Sequence, residues 1–272
     1  MHYHLRLENI VLEANPKKKI SDFKAFYNDY LNKKSQFDYN YTPYELKNPS
    51  YNDFLKIVLP KHVKTPKHFK TNEGKIILLH TIAHIEYSAI DLALDAALRF
   101  KDLPDEYYGD WLEVANDEVR HFEMLEGLLK ELGSYYGELE VHTNLFEAMK
   151  STPDLLSRMA VVPRFLEANG LEQNPKIMEK LNSNIDDFNQ KILDALEIIL
   201  EEEVDHVTKG DRWFKFECER QGLDPEKTYI EILERVFPGS TTKKYQLNIE
   251  ARKKAGFSCD ELKFLAKKDD CN

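Results

Sequence analysis

Six residues stand out as able to do chemistry together: Glu86, Glu118, His121, Glu167, Glu203 and His206. Glu118 and His121 form an ExxH pair, and Glu203 and His206 form a second one. Members of such a pair, three residues apart, project from the same face of a helix. Each of the six falls on an apolar stripe at helical spacing. The stripes are Leu79, Ile82, Ala83, Glu86, Ile90, Ala93, Ala97; Trp111, Val114, Ala115, Glu118, His121, Phe122, Leu125; Leu156, Met159, Ala160, Pro163, Glu167; and Ile192, Leu196, Ile199, Glu203, His206, Gly210, Trp213. Four carboxylates aimed at an interior repel one another and cost several kcal/mol each to desolvate, so they require cations. Four glutamates and two neutral imidazoles around two divalent ions sum to zero net charge. Oxygen-rich coordination with two imidazoles suits iron or manganese better than copper or structural zinc. The expected cofactor is therefore a pair of iron ions, with manganese or a mixed pair as the alternative.

Each part alone carries little. A single ExxH is common in an acidic helical chain, and Arg164, three residues before Glu167, offers that carboxylate a simple local ion pair. The weight lies in the order Glu, ExxH, Glu, ExxH, which is the ligand order of di-iron and di-manganese carboxylate bundles. Asp117 and Glu202 each lie four residues before a candidate histidine and are expected to accept the free ring N–H of a ligating imidazole, the alternative being solvated surface acids. His80 and His84 share a face roughly opposite Glu86 and are assigned a structural role, bonding the N-terminal region. Tyr87, Tyr135, Tyr136 and Trp213 are read as core packing near the site, with a redox-active tyrosine as the alternative; no catalytic residue is assigned.

The elements that must position these groups are helices. Thr71 or Asn72 caps a long apolar segment reaching Phe100; a second helix runs from Glu106 or Asp110 to Leu132 before Gly133. A third starts at Thr152 with Pro153 as its first helical residue, bends at Pro163 and ends at Gly170. After Asn174-Pro175 come a short helix and a long one from about Ile185 to Gln221, then smaller helices at Pro225 to Val236 and from Ser258 onward. Residues 1–70, with His4 to Val11 alternating and prolines at 43, 49, 60 and 66, predict irregular structure or one short hairpin. The expected fold class is all-α: an antiparallel four-helix bundle over 71–222, with an N-terminal extension over 1–70 packed on it and a C-terminal helical extension over 223–272.

Composition narrows the function. The 272 residues carry 38 Lys plus Arg against 48 Asp plus Glu, a formal charge of −10, which argues against a general affinity for nucleic acid or anionic membranes. Three scattered cysteines, Cys218, Cys259 and Cys271, predict neither a disulfide framework nor a zinc knuckle, and fit a reducing cytoplasm. Glu86, Asp91 and Asp95 interrupt the most apolar segment, so no membrane span is expected.

At these residues the chain resembles the ferritin-like superfamily, and within it the family catalogued as domain of unknown function 455. The strings that carry the resemblance are LLHTIAHIE, DWLEVANDEVRHF, AVVPRFLEANGLE, EEEVDHV and NIEARKKAGFS, between about residues 71 and 265. The segment Asp117-Glu118-Val119-Arg120-His121 is also similar to the DExRH signature of bacterial multicomponent monooxygenases and, more loosely, to the ribonucleotide reductase small subunit; Asp205 replaces the arginine in the second copy. The tRNA hydroxylase acting on methylthio-isopentenyl-adenosine is a more distant likeness. The resemblance implies a ferritin-like fold and a di-iron site, and with them an O2-dependent oxidoreductase, of oxygenase or hydroxylase type, acting on a small molecule. The alternatives are a ferritin-like iron-binding or peroxide-detoxifying protein and a tRNA-modifying hydroxylase. A monomer or small homo-oligomer is expected, because the added segments, better suited to a substrate lid or partner surface, obstruct the packing of a cage.

Overall fold

The computed structural model of the chain describes residues 2–38, 40–238, 246–268 and 271. Among these residues regular structure is helical throughout, and extended pairing is limited to isolated bridges such as Ile57 with Val141. The chain forms two compact units, 1–146 and 147–272.

In the first unit, α3 (Asn72–Arg99) packs along α4 (Asp105–Glu131). Thr71 caps α3 by accepting the Gly74 N–H, as its sequence position predicts. Asp105 and Glu106 place negative charge at the positive end of α4, and Gly133, at a φ of +76°, follows its last turn. α3 is the one described helix long and apolar enough to cross a membrane, but 78% of that apolar window is buried inside the protein. Its acids explain why: Asp95 is paired with Arg99, and Asp91 with the wholly buried Lys19. Lys19 also donates to the Val11 carbonyl at 3.1 Å, and Ser50 Oγ to Asp91 at 2.5 Å. A carboxylate with a resident cation belongs in a protein core and not in lipid.

The N-terminal expectation is corrected. Residues 3–31 form two helices, α1 (Tyr3–Leu12) and α2 (Pro16–Leu31), where irregular structure or a hairpin was predicted. The buried set Tyr3, His4, Leu7, Ile10 and Val11 has helical period, which prevails over the local alternation around Leu5 and Leu7. Asn15 caps α2 with Pro16 in its first turn.

A short helix, α5 (Asn144–Lys150), carries the chain onward. The second unit is built on α8 (Asp187–Gln221), capped by Asp186. The predicted third helix is broken up: α6 (Leu155–Val161) starts one residue past Pro153–Asp154 with Asp154 as its cap, then a π turn over Val162–Leu166 and a 3-10 turn over Glu167–Asn169 lead into α7 (Gly170–Asn182). Asn174-Pro175 therefore lies inside a helix instead of starting one. Pro175 cannot donate to the Leu171 carbonyl four residues back, and Asn248 Nδ2 donates to it at 3.2 Å instead. Pro163 sits against Gly210 of α8, where an added Cβ would lie 2.4 Å from the proline ring. The remaining helices are α9 (Pro225–Val236), α10 (Ile249–Lys254) and α11 (Cys259–Ala266).

The cysteine expectation is also corrected: Cys259 and Cys271 form a disulfide, with Cα atoms 5.6 Å apart, while Cys218 is free and buried. The left-handed residue Lys267, at a φ of 53°, ends α11 and turns the chain back toward the start of that helix. A helix of eight residues brings together cysteines that look scattered in sequence.

Candidate metal centre

In the first unit, α3 and α4 bring Glu86, Glu118 and His121 into one buried cluster whose ligand atoms lie within 4.8 Å of one another. Both helices are regular here, so phase alone aims these side chains inward. His121 Nδ1 stands 3.1 Å from Glu86 Oε2 and 3.4 Å from Glu118 Oε2. Burial pushes the Glu86 carboxyl well above its ordinary range, the charge of Glu118 adds to that, and His121 offsets it only in part. For His121, burial works to lower the pKa, but the hydrogen bonds and charges of Glu118 and Glu86 outweigh it and raise the imidazole. The cluster thus demands positive charge. Asp91 and Asp95 each have a lysine or arginine; Glu86 has a histidine and a second carboxylate. That donor set, two carboxylates and an imidazole excluded from water, fits a divalent cation, which would displace the protons the cluster holds.

In the second unit, α8 repeats the ExxH pair. His206 is fully buried, Glu203 nearly so, and His206 Nδ1 lies 3.9 Å from Glu203 Oε2. Glu167 opens the 3-10 turn after the π turn and is half-buried. Arg164 does not pair with it. The guanidinium, fully buried, binds Asp211 at 2.9 Å and Glu261 at 2.8 Å, and lies over the rings of Phe214, Tyr229 and Phe257 at 4.7, 4.3 and 4.8 Å. The local alternative for Glu167 is therefore removed, because its competitor is engaged elsewhere.

The family described as "Protein of unknown function (DUF455)" matches residues 12–263. The chain belongs to that family. An uncharacterized protein of Haemophilus influenzae (strain ATCC 51907 / DSM 11121 / KW20 / Rd) is 40% identical over 222 residues, covering 77% of this chain and 73% of its own. No solved structure matches.

Within this DUF455 chain the residues around Glu167 carry the support that sequence reasoning missed. Upstream, Arg164 is held by α8 and α11, and Tyr229 of α9 donates to its carbonyl at 3.3 Å. Downstream, Arg252 of α10 binds both carboxylate oxygens of Glu172, at 2.7 and 2.9 Å, and the Ala168 carbonyl at 3.2 Å. The residues after 222, which the sequence suits to a substrate lid or partner surface, grip the segment 164–172. Periodicity holds no signal for this, since the partners lie 65 to 97 residues apart in sequence; only unbroken helical spacing toward Pro163 hinted that the segment needs outside help.

The other expectations divide. Asp117 is half-buried and accepts from Arg120 at 2.7 Å; Glu202 is half-buried on α8. His80 and His84 are structural, as expected, but bond a different region: His80 Nε2 accepts the Gly137 and Leu139 N–H groups, and His84 contacts Tyr136 Oη at 2.9 Å and the His142 carbonyl at 2.8 Å. Their hydrogen bonds pin the connection after α4, and the His84 ring also packs edge-on against Tyr51 of the N-terminal segment, with centroids 4.9 Å apart. Tyr87, Tyr136 and Trp213 are buried as core; Tyr135, at 59% exposure, is not.

Proposed function

We propose that Glu86, Glu118, His121, Glu167, Glu203 and His206 hold two iron or manganese ions in a ferritin-like dimetal carboxylate bundle, and that the protein is an O2-dependent oxidoreductase of oxygenase or hydroxylase type acting on a small molecule. The observation that carries this reading is the buried Glu86–Glu118–His121 cluster, whose ligand atoms lie within 4.8 Å of one another and which raises its own proton affinity. Supporting it are the second buried ExxH on α8 and the Glu, ExxH, Glu, ExxH order along the chain. A bound ferrous pair supplies two electrons for reducing O2.

The chain's own residues would contribute in three ways. The four carboxylates neutralise the ions, the two imidazoles complete their coordination, and the grip on 164–172 fixes where Glu167 stands. Apolar neighbours such as Val114, Ala115 and Phe122 keep water away from the α4 donors.

Iron storage is the competing reading. Anaerobic ferrous loading followed by O2 exposure, with iron counting and light scattering, separates the two. Saturation near two ions per chain in a small particle, with metabolite turnover, supports the oxidoreductase; many iron atoms retained in a large closed particle overturns it.

A further inference from the structure

The most basic segment of this acidic chain plays no part in the metal centre. Residues 54–72 hold five lysines and two histidines and no acid. Within them a hexapeptide is repeated: PKHVKT over 60–65 and PKHFKT over 66–71 differ only at Val63 and Phe69. Both proline-rich extended chain and the 3-10 turn at Pro60–His62 have three residues per turn, so a six-residue repeat puts equivalent residues on the same edge. Burial follows that period. Val63, Pro66 and Phe69 are half-buried, while Lys61, His62, Lys64, Thr65, Lys67, His68, Lys70 and Thr71 are exposed.

Lys61, Lys64, Lys67 and Lys70 therefore form one exposed row, spaced roughly 9 Å apart where the chain is extended. Among the described residues none of the four forms an ion pair. Glu140 pairs with Lys56 at 2.6 Å and also feels the charges of Lys64 and His62; Glu73 is the acid beside the second repeat. The second repeat and the first turn of α3 line a groove of 540 Å³ that includes Lys64, Lys67, His68 and Thr71. The strip is seated closely: a Cβ on Gly74 would lie 1.6 Å from the His68 carbonyl oxygen.

We infer that this repeated strip binds the phosphate backbone of a single-stranded nucleic acid. A row of cations, flanked by hydroxyl and imidazole groups, tracks a linear polyanion. Val63, Pro66 and Phe69 are half-buried, so Pro60 and the preceding Leu59 are the exposed apolar residues at the repeat and no large apolar side chain of the repeat itself is free to enter lipid. The inference does not depend on the metal reading.

The test is fluorescence anisotropy of the full chain with labelled oligo(dT) of about 20 nucleotides across a salt series. Binding should fall with salt at a log–log slope of about −3, the value for some four phosphate contacts on a single strand. The double substitution Lys64→Glu/Lys67→Glu should weaken binding roughly tenfold or more, and Lys64→Gln/Lys67→Gln should flatten the slope by about 1.4. Lys180→Glu/Lys227→Glu, reversing two lysines of the second unit, should leave binding within about twofold. Circular dichroism of each variant verifies folding. Absence of oligonucleotide binding at low salt, equal weakening by the control pair, or tighter binding to phosphatidylserine vesicles or polyglutamate than to the oligonucleotide overturns the inference.

Discussion

The two ExxH helices carry the same donors but are supported by different physics. On α4 the donors stand in unbroken helix and face Glu86 on another unbroken helix, so helical phase and direct hydrogen bonding place all three. On α8 the pair is equally regular, yet the lone glutamate of that unit stands on a chain broken by a π turn, a 3-10 turn and two prolines. What holds that chain is remote: Arg164 with Asp211 and Glu261 on one side of Glu167, and Arg252 with Glu172 on the other. A donor can thus be placed by the periodicity of its own helix or by buried ion pairs from distant sequence, and the second route is the more vulnerable to a single change.

Breaking the remote support should have the largest effect. Arg164→Met leaves buried Glu261 without its cation and Asp211 with Lys215 as its remaining one, and is expected to cost about 3–5 kcal/mol in urea unfolding of the apo protein. Adding Asp211→Asn and Glu261→Gln to that variant should recover part of the loss, because the uncompensated charge is then gone. If the single variant is as stable as wild type, the clamp has no role in folding and the comparison collapses.

Next is the fit of Pro163 to α8. Gly210→Ala inserts a methyl 2.4 Å from the proline ring. Such overpacking typically costs about 1–3 kcal/mol, and here it should also reduce metal uptake by displacing the segment that carries Glu167. A similar loss of stability with unchanged metal content would separate the packing from the site.

Asp117→Ala and Glu202→Ala test whether either acid orients a histidine. Metal affinity should weaken roughly 10- to 100-fold if it does. For Asp117 the engagement with Arg120 offers a purely local role, and unchanged affinity would assign it there.

The smallest and most graded effect is pH dependence of the apo protein. Glu86 and His121 both bind protons more tightly folded than unfolded. Their stabilisation is present in full below the unfolded Glu value of 4.5 and is lost as pH rises toward about 8 for Glu86. Apo stability should therefore decline over that range, and saturating ferrous ion should flatten the decline by replacing the protons. A Glu86→Gln variant with the same pH profile would refute the assignment.

The contrast between the two supports also explains what the sequence discloses. The buried positions of Glu86, Glu118, His121, Glu203 and His206, the α3 cap at Thr71, and α4 and α8 to within a few residues are legible because helical phase and capping are local. The two N-terminal helices were obscured by a short alternation inside a longer helical period, and Pro153 and Pro175 gave misleading start signals because Asp154 is the actual cap and Asn248 satisfies the carbonyl that Pro175 frees. The Arg164 and Arg252 ion pairs, like the Cys259–Cys271 disulfide, join residues that only the folded chain brings together, so no spacing rule announces them.

The central claim is the metal centre, and counting metal tests it most directly. Wild-type protein reconstituted anaerobically with ferrous ion, passed through a desalting column and analysed for iron should hold about two ions per chain, with Glu118→Ala and His206→Ala each falling to one or fewer. Iron absent from the wild-type protein, or retained equally by both variants, would contradict the account.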